Sequence, residues 1–385
     1  MKTSAVICEF NPFHHGHKYL LEEIRKQGFE CIICVMSGSF TQRGDVATVD
    51  KFSRAKTALK NGADLVIELP TPYAVASAER FARGGAEIIK ATGVVDKVFF
   101  GSECGDIELI KKAALACSDE KVTDILKERM AEGDYYPLAL EKAVRKIYGE
   151  EISDILSQPN NTLGVEYVKE LSKLGIEAGT IKRAAVEHDS FEAKNGFASA
   201  SLIREMILKH EDVSDFVPCG DFSNPASLKF GERAILYKLK NMTPEDFKKL
   251  SDVTEGLENR IYSAVKTCSS LEDLLFEIKT KRYTLARLRR IIISATLGIN
   301  RDLQSLSVPY LRILGMTDKG KETLSLISKN TDLPIITSVA SALKSLEGKA
   351  REMLMCDINA TDIRTVFERE ISESGKDFND ALIKD

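Results

Sequence analysis

Ser4-Ala5-Val6-Ile7-Cys8-Glu9-Phe10-Asn11-Pro12-Phe13-His14-His15-Gly16-His17-Lys18 decides how the rest of the chain is read. Ser4 to Cys8 is a short apolar run, the pattern of a buried strand. From Lys18 to Lys26, Leu20, Leu21 and Ile24 recur at helical spacing. The histidine-rich stretch between them is therefore a strand-to-helix turn. In an open α/β sheet such turns lie at the carboxyl edge, where ligands bind. Backbone N–H groups at the start of the new helix favour an anion. Gly16 has no Cβ to hold a ligand away from the backbone. His14 and His17 bracket that glycine and reach one bound phosphate, where imidazole donors stabilise developing phosphoryl charge. Three histidines in four residues also suit a metal. Zinc, however, needs three or four ligands, and the other histidines are His188 and His210. The expectation is phosphate chemistry without a metal site.

Outward from this turn, Ile32–Val35, Leu65–Leu69 and Val98–Phe100 also read as buried strands, with Lys51–Asn61 and Ala78–Thr92 as helices between them. That alternation, continued to a last strand at Thr180–Arg183, predicts a doubly wound parallel sheet over residues 1–215. Ligand-binding residues are then expected in loops after the strands. Ser37–Asp50 is such a loop; its Arg43 faces a triphosphate or RNA, or the loop is simply solvated. Gly101 follows the fourth strand, where a glycine lets adenosine lie against the backbone or merely makes a turn. Lys111–Tyr148 reads as charged helix. Pro159-Asn160-Asn161 precedes a helix over 164–173, so an asparagine caps it or binds nucleotide. Arg183, ending the last strand, offers a planar fork of donors to phosphate or sits in a surface ion pair.

Pro218, Gly220 and Pro225 break the pattern and mark a boundary near 215. Residues 216–300 read as helical. Within them Lys279–Arg290 carries six basic residues and no acid. Leu285, Leu288 and Ile292 share one face of that helix, Arg287 and Arg290 fall off it, and Arg282 lies at its edge: a contact for a phosphate backbone, or a solvated cationic face. From 301 to 385 the alternation returns as a small C-terminal α/β unit, with Leu311–Met316 and Leu333–Thr337 as strands. The charged tail after Glu370 is expected to fray. Cys31 and Cys34 lie three apart on one strand, hence on opposite faces, which favours buried thiols over a redox or zinc pair.

The composition excludes several classes. At 29% charged and 43% hydrophobic residues, the 385-residue chain is a globular one with room for two or three domains. A net charge of −4 excludes a uniformly basic coat but not a local patch. No apolar run reaches membrane-spanning length, and Met1-Lys2-Thr3 leads into a segment too short for a secretory signal. No membrane association and a cytoplasmic location are expected. No sequence pattern sets an oligomeric state.

Strand, His-x-Gly-His and helix resemble the HxGH nucleotidyltransferase superfamily, related to class I aminoacyl-tRNA synthetases. That superfamily carries a second motif of the form I-S-S-T-x-x-R, and Ala198-Ser199-Ala200-Ser201-Leu202-Ile203-Arg204 has its shape. Ile293–Ile299 imitates the motif but lacks the arginine and sits in an apolar run. With Met36–Gly44, Phe99–Glu103 and Gln158–Gly164 in the same order, the chain resembles the bacterial tRNA(Met) cytidine acetate ligase family from its start to about Phe367. The resemblance implies ATP as substrate, with Mg²⁺, and acetate and elongator tRNA(Met) as partners. It implies an acetyl-adenylate whose acetyl group passes to N4 of the wobble cytidine. His14 and His17 would be catalytic. Ile7, Cys8, Glu9, Phe10, Asn11, Pro12, Phe13, Gly16, Lys18, Gly101, Asn160, Arg183, Ala184, Ser199, Ser201 and Arg204 would bind ATP. Lys281, Arg282, Arg287 and Arg290 would bind tRNA. An aromatic of the family pattern is replaced by Glu187, which leaves His188 without an assigned role. Two other readings compete: an HxGH adenylyltransferase for a small phosphorylated metabolite, and a non-catalytic RNA-binding protein.

Overall fold

A computed structural model describes residues 1–183, 198–254, 256–380 and 382–384. Its strands in chain order are β1 (Thr3–Cys8), β2 (Cys31–Ser37), β3 (Phe40–Thr41), β4 (Asp45–Val46), β5 (Leu65–Leu69), β6 (Lys97–Ser102), β7 (Glu177–Lys182), β8 (Leu311–Met316), β9 (Ile335–Ile336) and β10 (Ile383–Lys384). The main sheet has the order β10-β8-β5-β2-β1-β6-β7, with β9 also on β8; β3 and β4 form a separate ribbon. From β5 to β7 every pairing is parallel, while β8 meets β5 antiparallel. β1 and β2 are buried along their whole length, as strands covered on both faces must be. Ile7, Ile33, Val35 and Ile67 feed the core on one face, and Val6, Cys34, Met36 and Val66 the core on the other. Cys31 and Cys34 accordingly end up in different cores.

Several boundaries moved. The first helix, α1 (His15–Lys26), starts inside the histidine motif rather than after it. Lys111–Tyr148 is not continuous: Asp119 caps a new helix at Glu120, and Gly133 with positive φ ends it before Tyr136–Tyr148. The helix expected from 164 begins at Pro159, a position that costs no hydrogen bond because the first N–H groups of a helix have no partner.

The C-terminal strands continue the main sheet: Gly315 and Met316 of β8 pair with Val66 and Leu65, and β10 pairs with β8. The tail therefore does not fray. Its helix Lys376–Asn379 delivers Asp377 into the interior, where it meets Lys51 at 2.8 Å and Arg312 at 2.5 Å. Lys51 lies at the start of α2 (Lys51–Lys60); it and Arg312 also hold Glu68, at 2.9 and 2.8 Å. A charged tail read as solvated is thus a source of buried counter-charge.

In the helical region, helices Glu232–Lys240, Leu257–Thr267, Leu271–Ile278 and Leu285–Leu297 share one core with Phe40 and Val46 of the ribbon and Phe367. Leu288 and Ile292 are buried as expected, while Leu285 is 37% exposed. Among the described residues no helix is long and apolar enough to cross a membrane.

Candidate nucleotide cleft

A cleft of about 360 Å³ opens at the carboxyl ends of β1, β6 and β7. Four helices begin on its wall: α1, Ala78–Thr92, Pro159–Lys173 and Ala200–Leu208. Each N-terminus contributes partial positive charge, so together they make a field for a polyanion. Among the described residues, Arg43, Lys182, Arg183 and Arg204 line the same cleft, against two carboxylates, Glu9 and Asp45.

The two histidines cap their own helix. His14 Nδ1 accepts the Gly16 N–H at 3.0 Å, and His17 Nδ1 accepts the His14 N–H at 3.3 Å. The rings stack 3.8 Å apart, with Phe10 edge-on to His17. Burial, and then the Arg183 guanidinium, His15 and Arg204, push His14 down to about 3; burial and His14 hold His17 well below its usual value. Both imidazoles are neutral at pH 7. With Nδ1 accepting, the proton lies on Nε2, so each ring keeps an Nε2–H donor. The same capping removes Nδ1 as a metal ligand. Gly16 has a different cause from the expected one: a Cβ there would lie 2.8 Å from His14 Cε1. The glycine makes room for the capping ring.

The second motif caps helix Ala200–Leu208 through Ser199 Oγ, which accepts the Leu202 N–H. Arg204 donates to Ser201 Oγ at 3.1 Å and to the Asn11 carbonyl at 3.0 Å, which ties the two motifs together. On the third wall, the Glu103 carboxylate caps helix Pro159–Lys173, accepting from the N–H groups of Asn160 and Asn161 and from Asn160 Nδ2. Asn161 returns its Oδ1 to the N–H groups of Glu103 and Cys104. Asn160 is left at the cleft wall, with Arg183 Nη1 3.4 Å from its Oδ1.

The loop 37–50 is braced, not solvated. Buried Arg54 donates to the carbonyls of Ser37, Gly38, Val49 and Glu9, and buried Arg364 to those of Ala47 and Thr48. Ribbon β3–β4 thereby brings Thr41, Gln42, Arg43 and Asp45 into the cleft. Gly44, at φ +70°, packs on the backbone of Arg289 and Arg290, where a Cβ would come within 2.5 Å. The basic helix is therefore not remote from the histidines; it abuts the cleft rim.

Of the residues expected at ATP, Ile7, Cys8, Glu9, Phe10, Asn11, Gly16, Gly101, Asn160, Arg183, Ser199, Ser201 and Arg204 line the cleft together with His14 and His17. Pro12, Phe13 and Lys18 do not: Phe13 is a core residue against Phe10. Ala184 and His188 lie outside the described residues. Asp45, Phe81 and Tyr167 also line it and were missed, because a residue in a ribbon or mid-helix carries no local signal of facing a cavity. In the basic stretch, Lys281 and Arg282 are exposed. Arg287 donates to the Asp252 carbonyl and Thr254 Oγ1, and Arg290 lies 3.8 Å from the Asp252 carboxylate.

A strand-to-helix His-x-Gly-His cap under converging helix N-termini is the construction of a nucleotidyl transferase site, and the HIGH Nucleotidyl Transferase family matches residues 1–378. A tRNA(Met) cytidine acetate ligase of Thermoanaerobacter sp. (strain X514) is 40% identical over 407 aligned positions covering all of both chains. One from Acetivibrio thermocellus is 37% identical over 413, again covering both. Crystal structures of Thermotoga maritima TmcAL, apo and bound with alpha-thio ATP, superpose with TM-scores of 0.92 and 0.90 at 32% identity, covering 100% of this chain and 99% of that one. The chain belongs to the HIGH nucleotidyl transferases and, among them, to the tRNA(Met) cytidine acetate ligase family.

Proposed function

We infer that the chain acts as an ATP-dependent acetate ligase that forms N4-acetylcytidine at the wobble position of elongator tRNA(Met). An acetate oxygen attacks the α-phosphorus in line with departing pyrophosphate, giving acetyl-adenylate. The cytidine amine then takes the acetyl group and AMP leaves. The observation that carries this reading is the pair of neutral histidines with Nδ1 occupied by backbone N–H groups and Nε2–H left over. Donors of that kind stabilise negative charge as it develops on the α-phosphate and need no reorganisation when it does. Ser199, Ser201 and Arg204 are proposed to hold the β- and γ-phosphates, and Arg183 and Asn160 the nucleotide beside Gly101. Pro12, Phe13 and Lys18 would act from behind, by shaping the turn. Mg²⁺ is proposed to accompany the triphosphate as its counter-ion, held by phosphate oxygens and water; among the described residues no three His, Cys, Asp or Glu side chains gather for a metal.

Elongator tRNA is proposed to dock over the basic stretch, with Lys281 and Arg282 on phosphates and Arg287 and Arg290 behind them. An anticodon loop is single-stranded and lets one base leave the stack. A tRNA substrate accords with a cytoplasmic enzyme. Incubation with ATP, labelled acetate and total tRNA, followed by nucleoside analysis, tests the reading. Labelled N4-acetylcytidine is the expected product. ATP turnover that leaves tRNA unlabelled would overturn it.

A further inference from the structure

The second step of the ligase reaction needs a proton acceptor. The amino group of cytosine is a weak nucleophile, and its nitrogen must shed a proton as the new bond forms. Among the described residues two carboxylates line the cleft, Glu9 and Asp45. Glu9 sits directly after β1, its carbonyl held by buried Arg54 and its Oε1 accepting the Gln42 N–H at 2.7 Å. Asp45 sits on β4, one residue from the glycine that packs on the basic helix. Its Oδ1 accepts the Val46 N–H at 2.8 Å; among the described residues Oδ2 has no donor. Asp45 lines the cleft with His14 and Arg204, and Arg289, on the helix that Gly44 packs against, acts on it electrostatically. Asp45 is thus the carboxylate at the junction of the histidine cleft and the expected RNA face.

We propose that Asp45 receives the target cytidine: Oδ2 accepts a hydrogen bond from N4 and takes its proton during acetyl transfer. N4 attacks the acetyl carbonyl carbon, the N–C bond forms, and the C–O bond to the α-phosphate breaks. The electron pair leaves on AMP, and the N4 proton passes to Asp45 and then to solvent. Carboxylates are the usual acceptors for the cytosine amino group. Burial raises the Asp45 carboxyl, with Arg204 and Arg289 opposing, and this makes it a better base than an exposed aspartate.

This assignment rests on the ligase reading, and Asp45→Asn separates the two. Asn keeps the Oδ1 acceptor for Val46, so the ribbon should hold. Acetate-dependent pyrophosphate exchange should stay within about threefold of wild type, which also reports the fold. Single-turnover transfer from preformed adenylate to saturating tRNA should fall by roughly 10²-fold, the low end for loss of a general base, with tRNA affinity unchanged. Asp45→Glu should recover part of that rate. If both half-reactions fall together, or transfer is unaffected, Asp45 is not the acceptor. If the wild type itself transfers no acetyl to tRNA, the ligase reading fails and takes this assignment with it.

Discussion

Two groups of buried charge flank the same sheet and differ in balance. Beside β5 and β8, Lys51 and Arg312 face Glu68 and Asp377, with side chains 0–4% exposed. Two cations meet two carboxylates there, and buried Asp357 acts on Arg312 and Glu68 as well. At the carboxyl ends of β1, β6 and β7, among the described residues, Arg43, Lys182, Arg183 and Arg204 and four helix starts share the cleft with the carboxylates Glu9 and Asp45, and Glu103 acts on Arg183. The first arrangement ties the C-terminal segment to α2, β5 and β8; the second gathers, among the described residues, more cations than carboxylates along its lining, which suits an anion. Arginine count does not separate them, since both contain arginine; the balance of cations and carboxylates does. In the basic stretch, the Asp252 carbonyl and carboxylate meet Arg287 and Arg290, which are half-buried, and Lys281 and Arg282 are exposed.

This contrast is broken most severely at the buried cluster. Asp377→Ala leaves Lys51 and Arg312 short of a partner in the interior, and removal of one member of a buried pair costs about 3–5 kcal/mol. Urea unfolding should show that loss, while ATP affinity of the folded fraction stays the same. Burial works against the Asp377 carboxylate, but Lys51 and Arg312 outweigh it and hold its pKa low. Its folded pKa lies below the unfolded one. The contribution is therefore full above about pH 3.9 and declines as pH falls further; the variant should lack that acid limb.

In the open cleft the penalty should appear mainly in rate, with about 1 kcal/mol of stability at most from a lost helix cap. His17→Ala removes one Nε2–H donor and should slow adenylate formation roughly 10²–10³-fold, about 2.7–4 kcal/mol; a folded variant at wild-type rate would refute the donor role. Arg204→Ala deletes a charged donor worth about 1.5–3 kcal/mol, roughly ten- to a hundredfold. ATP use should suffer and tRNA binding should not. The reverse outcome would mean that the second motif serves RNA. The smallest effect belongs to the basic stretch. Lys281→Gln with Arg282→Gln should lower the salt slope of single-stranded RNA binding by about 0.7 for each phosphate the protein no longer neutralises. Arg287→Gln with Arg290→Gln should change it less, since those cations are already engaged with Asp252. Equal changes from the two double variants would place all four at the RNA.

Legibility in the sequence followed the range of the interaction. Strands such as Leu65–Leu69 and the helix Ala78–Thr92 appear as expected, because burial on both faces or one stripe of apolar residues is a local pattern. The histidine turn was legible for the same reason. What the pattern could not carry was pairing across the chain. Asp377 meets a lysine 326 positions earlier, so a tail that buries one carboxylate looked like one that frays. Gly16 looked like a gap for ligand and is a gap for His14. Gly44 gave no hint that it seats the cleft against Arg289 and Arg290. Arg287 reads as an off-face cation in the helical pattern, and only the fold of the Asp252 loop ties it down.

The central claim is that the histidine cleft makes an acyl-adenylate on its own, before any RNA is present. Exchange of labelled pyrophosphate into ATP, measured on the 385-residue chain without tRNA, tests it directly. Exchange that depends on acetate, persists without acetyl-CoA and is unaffected by nuclease treatment is the predicted result. Exchange that ignores acetate, or none at all while ATP still binds, would contradict the account.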